Sequence, residues 1–132
     1  MKKKKSQCPC GHGRSYTTCC KPYHTKVTYP ETAEQLMRSR YCAYAQGVLN
    51  YLMETHHPAH FDPSNISSIQ KTFAECKWTD LKILDKDKGG KNDETGTVHF
   101  LAEYEEDGKK YTMEENSFFV KLSGKWVYQC AI

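Results

Sequence analysis

Four of the seven cysteines in this chain lie within the single stretch CPCGHGRSYTTCC. One residue separates Cys8 from Cys10, a longer loop leads to Cys19, and Cys20 follows directly. The stretch has one large side chain, Tyr16, and so cannot fold around a hydrophobic core. Thiolates are ligands of tetrahedral zinc, and a structural zinc site supplies folding free energy to such a segment. The pattern therefore predicts one zinc ion held by these four cysteines.

Disulfide bonds are the alternative for clustered cysteines. Bonds between Cys8 and Cys10, or between Cys19 and Cys20, would close very small and strained rings, whereas bonds across the loop are geometrically possible. The chain begins MKKKKSQ with no apolar run after it, which is not typical of a secretory signal peptide. In a reducing compartment, clustered cysteines bind metal more often than they form disulfides. The sequence therefore favours zinc and a cytoplasmic location.

The pattern CPCGxGxxYxxCC resembles the SEC-C motif, the zinc-binding tail of the SecA preprotein translocase. The resemblance implies that the zinc ligands are the two cysteines of the CxC and the final Cys-Cys pair, which are Cys8, Cys10, Cys19 and Cys20. The usual motif has serine between its two glycines, where this chain has His12. His12 is either an exposed imidazole or a competing ligand, and four thiolates already close a structural site.

Composition indicates one modest domain with a short appendage, because the chain has 132 residues and ordinary charged and apolar fractions. No apolar stretch approaches the length of a membrane span. The formal net charge of +3 becomes −1 without the lysine run near the start, so only the tail is basic. We expect residues 1–7 to be a solvated, disordered tail that can contact the ribosome, RNA or anionic lipid. The tail's charge comes from Lys2, Lys3, Lys4 and Lys5.

Helical periodicity begins near residue 32. Thr32 and Gln35 form a capping box, and apolar residues recur at helical spacing until Gly47 breaks the pattern. Two shorter helices are predicted to follow, one over residues 49–55 and one from residue 66 to about residue 76, with Ser64 or Asn65 as the cap of the second.

From residue 77 onwards the pattern changes to the alternation of strands. Asp107-Gly108 predicts a hairpin turn, and Ser123-Gly124 predicts the next one. Helices followed by antiparallel strands make an α+β fold. The predicted strands cover residues 77–85, 95–106, 109–121 and 125–131.

The run MRSRYCAY at residues 37–44, followed by Tyr51-Leu52 and Thr55-x-His57-Pro58, resembles the middle domain of the bacterial YchJ family. That family places a SEC-C motif before a cone-shaped, nuclear-transport-factor-two-like (NTF2-like) domain, in which about three helices lie against a curved antiparallel sheet. Many members add a second SEC-C motif, which residues 1–132 lack. The resemblance implies a zinc module over residues 8–22, a linker over 23–30 and an NTF2-like domain over 31–132.

Five residues are candidates for a pocket inside the cone: Arg38, Arg40, Tyr41, Tyr44 and His57. Arg40 falls on the apolar stripe of the first long helix, where a guanidinium needs a carboxylate, backbone carbonyls or a cavity. A structural ion pair between helix and sheet is one interpretation, and an anion anchor at the cone mouth is the other. His57 matches the family's His-Pro pair. With His56, His60 and Asp62 it could form a second metal site or an acid–base pair, or simply belong to a loop.

Two classes of function compete for this sequence. The leading interpretation is a non-catalytic protein-interaction module, because a closed four-thiolate site has no open coordination position for catalysis. The SecA tail contacts a chaperone and the ribosome, and the resemblance therefore implies a protein partner for the zinc module and a translocation- or ribosome-associated role. The alternative is a small-molecule-binding protein or a small enzyme that uses the cavity of the cone. Few apolar anchors in residues 21–30 predict that the zinc module and the body unfold separately.

Overall fold

The computed structural model of the chain describes residues 7–11 and 13–132. The lysine tail and His12 lie outside the described residues. The roles predicted for them, as a partner-binding tail and as a competing ligand, therefore stay predictions.

Four α-helices of the described residues precede the sheet: α1 (Lys21–His24), α2 (Ala33–Gln46), α3 (Leu49–Glu54) and α4 (Ile66–Glu75). The predicted cap of α2 is present, because Thr32 Oγ1 accepts a hydrogen bond from the backbone N of Gln35 at 3.1 Å. The helix ends at Gly47, whose φ of 75° is the left-handed conformation that glycine adopts readily. No helix in the described part of the chain is long and apolar enough to cross a membrane.

Four antiparallel strands form one sheet in the order β1-β2-β3-β4: β1 (Lys77–Lys88), β2 (Thr95–Glu106), β3 (Lys109–Leu122) and β4 (Lys125–Ala131). Register shifts mark bulges in β1, at Thr79 and Leu84, and in β4, at Gln129. Bulges bend strands and increase their twist. The helices and this sheet confirm the predicted α+β class.

The core lies between α2 and the inner face of the sheet. Val98, Phe100 and Ala102 alternate on that face of β2 and are buried, as the sequence predicted. His99 points to the other face, where its Nε2 lies 2.6 Å from Glu114 Oε2 on β3. On the buried side, Trp126 of β4 donates from Nε1 to the carbonyl oxygen of Glu31 at 3.0 Å, tying the last strand to the start of α2.

The segment predicted to be a linker is partly helical and partly packed. α1 begins directly after Cys20, and Tyr23 packs against the main core of the body. The chain then runs exposed through residues 25–29 before Pro30 is buried again. The first two residues of the predicted linker, Tyr23 and His24, thus belong to α1.

Candidate metal centre and ligand cavity

The four predicted ligands lie together. The Sγ atoms of Cys8, Cys10, Cys19 and Cys20 are all within 4.8 Å of one another, and all four residues are buried. Sulfur atoms that surround a tetrahedral ion at about 2.3 Å lie about 3.8 Å apart. The Cys10–Cys19 distance of 3.5 Å and the Cys19–Cys20 distance of 4.0 Å match that arrangement. The donor set therefore fits one tetrahedral metal ion.

The local backbone explains how so short a segment gathers four thiols. An antiparallel bridge between Gln7 and Ser15 closes a loop, and the backbone N of Cys8 donates to the carbonyl oxygen of Arg14 at 2.8 Å. Gly11 and Gly13 have φ values of 80° and 87°, which the tight return of the chain requires.

A sharp bend separates the two adjacent cysteines. The turn Tyr16–Thr18 leads into Cys19, whose φ of −109° and ψ of −89° turn the chain towards α1. Cys20 then sits at the N-terminal cap position of α1. The bend lets both side chains reach the same site.

A fifth thiol touches the cluster from the body of the protein. Cys42 on α2 is fully buried, and its Sγ lies 3.5 Å from the Sγ of Cys8. The sequence pattern does not place Cys42 near the motif. The one available signal is that Cys42 follows Arg38 by one helical turn and so shares its face of α2.

Arg38 joins the metal cluster to α2 and does not line the cavity. Its Nη1 donates to the carbonyl oxygen of Cys10 at 2.6 Å, and its Nε donates to Glu34 Oε2 at 2.8 Å. Glu34 also accepts from Lys86 Nζ on β1 at 2.6 Å. The two cations lower the pKa of the Glu34 carboxyl, against the effect of its burial. The pocket role predicted for Arg38 is thus replaced by a structural one, because its face of the helix meets the cysteine loop.

His24 forms a second link between the cysteine segment and α2. Its Nε2 lies 2.9 Å from the carbonyl oxygen of Ser39, and its Nδ1 lies 2.8 Å from the hydroxyl of Tyr16. A carbonyl only accepts, so Nε2 carries the proton and Nδ1 accepts from Tyr16. Burial lowers the pKa of His24, which keeps the ring neutral and consistent with this tautomer. The ring also packs on Tyr51 with centroids 4.7 Å apart.

A cavity of about 600 Å³ lies between α2, α4 and the inner face of the sheet. Three of the predicted pocket residues line it, namely Arg40, Tyr41 and Tyr44. Met37, Phe100 and Phe119 line the cavity and leave it open. The remaining wall mixes polar and apolar side chains and includes four further aromatic residues, Phe61, Trp78, Tyr104 and Tyr128.

Arg40 is the buried cation of this cavity, with 8% of its surface exposed. Its Nη1 donates to the carbonyl oxygen of Leu52 at 2.9 Å and to Thr55 Oγ1 at 2.7 Å. Its guanidinium carbon lies 4.9 Å from the ring centroid of Tyr128. Burial lowers the pKa of Arg40, yet a guanidinium remains charged at neutral pH. Among the described residues no carboxylate forms an ion pair with it within 4.0 Å.

Glu115 is a carboxylate on β3 that faces the same cavity. Its Oε2 accepts hydrogen bonds from Ser117 Oγ at 2.6 Å and from the hydroxyl of Tyr128 at 3.2 Å. Burial raises the pKa of Tyr128, which keeps its hydroxyl protonated as a donor. Tyr128 therefore holds Arg40 against its ring and Glu115 against its hydroxyl, at one end of the cavity.

The histidines after α3 do not form a metal site. His57 lies outside the cavity: its backbone N donates to the carbonyl oxygen of Tyr128 at 2.8 Å, and its Nδ1 accepts from the N of Ala59 at 3.1 Å. His56 lines the cavity instead, with its ring centroid 5.2 Å from that of Tyr128. Burial, with a contribution from Arg40, lowers the pKa of His56 to about 4. Within residues 7–11 and 13–132, only the four cysteines are spaced as a group of metal ligands.

The fold and the cysteine cluster together define a SEC-C motif protein with an NTF2-like domain. Residues 32–131 match the family described as "YchJ, middle NTF2-like domain". The chain belongs to this YchJ family, as its MRSRYCAY run and its cysteine motif predicted.

Known proteins similar to this chain share both of its parts. A UPF0225 protein of Vibrio vulnificus is 41% identical over 123 residues, which cover 93% of this chain and 72% of that protein. The solution structure of a SEC-C motif containing protein from Rhodopseudomonas palustris has a TM-score of 0.83 and 31% identity, covering 95% of this chain and 96% of that one. A SEC-C motif containing protein from Psychrobacter arcticus has a TM-score of 0.78 and 26% identity, covering 93% and 80% respectively.

Proposed function

We propose that this protein binds a small, largely apolar molecule in the cavity of its NTF2-like domain, and that one zinc ion on the four cysteines holds a wall of that cavity in place. The observation that carries the proposal is the open cavity of about 600 Å³ with the buried Arg40 in its wall. Cavities that bind small molecules have volumes of roughly 300–1,000 Å³, mostly apolar walls and a few convergent polar groups.

The lining of the cavity supports binding rather than simple core packing. Aromatic side chains from α2, β1, β2 and β4 surround it, and the polar groups of Arg40 and Glu115 face it from opposite layers of the domain. A folded domain rarely leaves a space of this size beside a buried guanidinium without water or a ligand to satisfy its donors.

The chemistry of the cysteine cluster supports zinc as its metal. Four thiolates in a tetrahedral arrangement are a usual structural zinc site, and their burial leaves no open coordination position. The zinc would hold the loop from Cys8 to Cys20 against α2. That helix turns Arg38 and Cys42 towards the cluster and Arg40 and Tyr44 towards the cavity. The metal would therefore have a structural role in fixing the helix that carries Arg40 and Tyr44.

A matched pair of tryptophan variants on α4 tests the cavity. Ser67 and Ser68 are adjacent and both exposed, but only Ser68 lines the cavity. We expect an uncharged, environment-sensitive dye such as Nile red to bind the zinc-loaded protein and Ser67→Trp alike, and to bind Ser68→Trp at least about tenfold more weakly, which is about 1.4 kcal/mol. Equal binding by all three proteins, or no binding by any, would contradict the proposal.

Metal analysis of the purified chain tests the zinc half separately. We expect about one zinc per chain, and loss of that zinc in Cys19→Ser, because a four-ligand site does not survive removal of a ligand unchanged. Cys130→Ser is the control, since Cys130 lies on β4 outside the cluster. If the purified protein contains no metal and these thiols are paired as disulfides, the proposed zinc site is contradicted.

Protein binding through the zinc module is a second candidate function, favoured by two exposed apolar residues just after α1. Val27 is 80% exposed and Tyr29 is 47% exposed. A photoreactive residue at position 27 should cross-link a protein partner in cells, and the adduct should disappear when Cys19→Ser is added. Leu84 on β1, also exposed at 43%, is the matched control position. Equal cross-linking from positions 27 and 84 would argue against a specific surface at the module.

A further inference from the structure

We infer that the ligand of this cavity carries an uncharged head group that both accepts and donates hydrogen bonds, as a primary carboxamide does, placed between Arg40 and Glu115. The inference rests on the proposed binding function and adds the chemical class of the molecule.

Arg40 supplies the donors. Its hydrogen bonds within the described ranges all come from Nη1, which leaves the N–H groups of Nε and Nη2 without a protein acceptor. The side chain is more than nine-tenths buried and lines the cavity. Because Arg40 lines the open cavity, water or a ligand in the cavity can supply the acceptor for these donors.

Glu115 supplies the acceptor. Both of its donors in the described part of the chain, Ser117 Oγ and the hydroxyl of Tyr128, bind Oε2. Oε1 therefore keeps its capacity to accept a hydrogen bond from a ligand. Since Tyr128 contacts Arg40 through its ring and Glu115 through its hydroxyl, the free donors and the free acceptor lie at the same end of the cavity.

Opposite charges on these two groups select against charged ligands. A carboxylate that accepts from Arg40 would also face Glu115, and an ammonium that donates to Glu115 would face Arg40. Glu106 lines the cavity as well and accepts from the thiol of Cys76 at 3.2 Å, which adds a second carboxylate against anions. A carboxamide satisfies both partners, because its oxygen accepts from Arg40 while its NH₂ donates to Glu115.

The rest of the cavity selects an aromatic body. Tyr41, Phe100, Phe119 and Trp78 line the space, and aromatic groups pack favourably against aromatic walls. The ligand class is therefore an aryl carboxamide.

Three probes of one shape and different charge test the inference: 2-naphthamide, 2-naphthoate and 2-naphthylmethylamine. Their affinities are measured by NMR titration of the zinc-loaded protein and of Glu115→Gln, a variant that keeps an oxygen acceptor for Ser117 and Tyr128. In the natural chain we expect the amide to bind at least about tenfold more tightly than either charged probe. In Glu115→Gln the naphthoate should gain about tenfold, and the amine should not gain.

A variant at Arg40 should change the affinities of the two charged probes in the opposite direction. Arg40→Gln should improve binding of the amine and weaken binding of the naphthoate, with an unchanged NMR fingerprint as the check on folding. If Arg40→Gln does not fold, Glu115→Gln alone decides. The inference would be overturned if naphthoate were the tightest ligand of the natural chain. It would also be overturned if Glu115→Gln left the naphthoate affinity unchanged.

The dye experiment separates this inference from the binding function on which it rests. If Nile red distinguishes Ser68→Trp from Ser67→Trp while no naphthyl probe binds, the head-group assignment fails and the binding function stands. If the dye does not bind at all, both fail.

Discussion

The Sγ atoms of Cys8 and Cys42 lie 3.5 Å apart, although the two residues are 34 positions apart in the chain. Cys8 belongs to the metal cluster, while Cys42 lies on α2, the helix whose other side lines the cavity. A metal-bound Cys8 is a thiolate and can only accept, so the S–H of Cys42 is the donor in this pair. The metal centre and the wall of the cavity are thus parts of one packed unit.

Removal of the metal should lower the melting temperature of the whole protein. The sequence predicted that the zinc module and the body unfold separately. In the structure, however, Arg38 hydrogen-bonds to the carbonyl oxygen of Cys10, His24 hydrogen-bonds to that of Ser39, and Cys42 packs against Cys8. Loss of these contacts should cost at least 1 kcal/mol, which corresponds to a drop of about 5 °C or more in a domain of this size. Thermal unfolding followed by circular dichroism, with and without a strong chelator, measures this drop in melting temperature. A body transition that stays unchanged after loss of zinc would show that the two parts are independent.

Replacement of Cys42 should weaken zinc binding without abolishing it. Groups that hydrogen-bond to a metal ligand typically change metal affinity by about 10–100-fold. We expect Cys42→Ala to keep one zinc per chain with an affinity lowered within that range, and Cys42→Ser to lie closer to the natural chain because serine keeps a donor. Competition with a chromophoric chelator measures these affinities. Complete loss of zinc from Cys42→Ala would instead make Cys42 a ligand, and an unchanged affinity would exclude the hydrogen bond.

Acid should destabilise the fold through His56. The pKa of His56 is lowered from 6.5 to about 4, mainly by burial. Between these two values the unfolded chain binds more protons than the folded one, so the free energy of unfolding falls as the pH drops from about 6.5 towards 4. Urea unfolding at pH 7 and pH 5 should show a smaller loss for His56→Asn than for the natural chain. An NMR titration that places the pKa of His56 near 6.5 would contradict this prediction.

Gly96→Ala should be strongly destabilising. A Cβ at residue 96 of β2 would overlap the backbone of Gly89, which itself packs against Ala33 at the start of α2. Overpacking against backbone costs about 3 kcal/mol, because no side chain can move aside. Denaturant unfolding measures the loss. Gly90→Ala is the control: its nearest atom is the flexible Asp93 carboxylate at 3.3 Å, so a loss as large as that of Gly96→Ala would refute the steric explanation.

Local patterns in the sequence were sufficient for the ends of α2, for the hairpins and for the grouping of four cysteines. The capping box at Thr32 and the glycine at position 47 mark the ends of α2, because helix ends depend on nearby residues. The Asp107-Gly108 and Ser123-Gly124 pairs likewise mark the hairpins, with positive φ at all four residues. Cys8, Cys10, Cys19 and Cys20 are close in sequence, so their grouping follows from a short loop and its glycines.

Contacts between distant elements decided the rest. Arg38 and Arg40 lie two positions apart on one helix and therefore point to different sides. Only the packing of α2 between the cysteine loop and the sheet shows that Arg38 meets Cys10 while Arg40 meets the cavity. The pairing of Arg40 and Glu115 through Tyr128 joins α2, β3 and β4, and no local pattern encodes it. Sequence periodicity reports which face of an element is apolar, whereas the partner of that face is set by the tertiary packing of the whole domain.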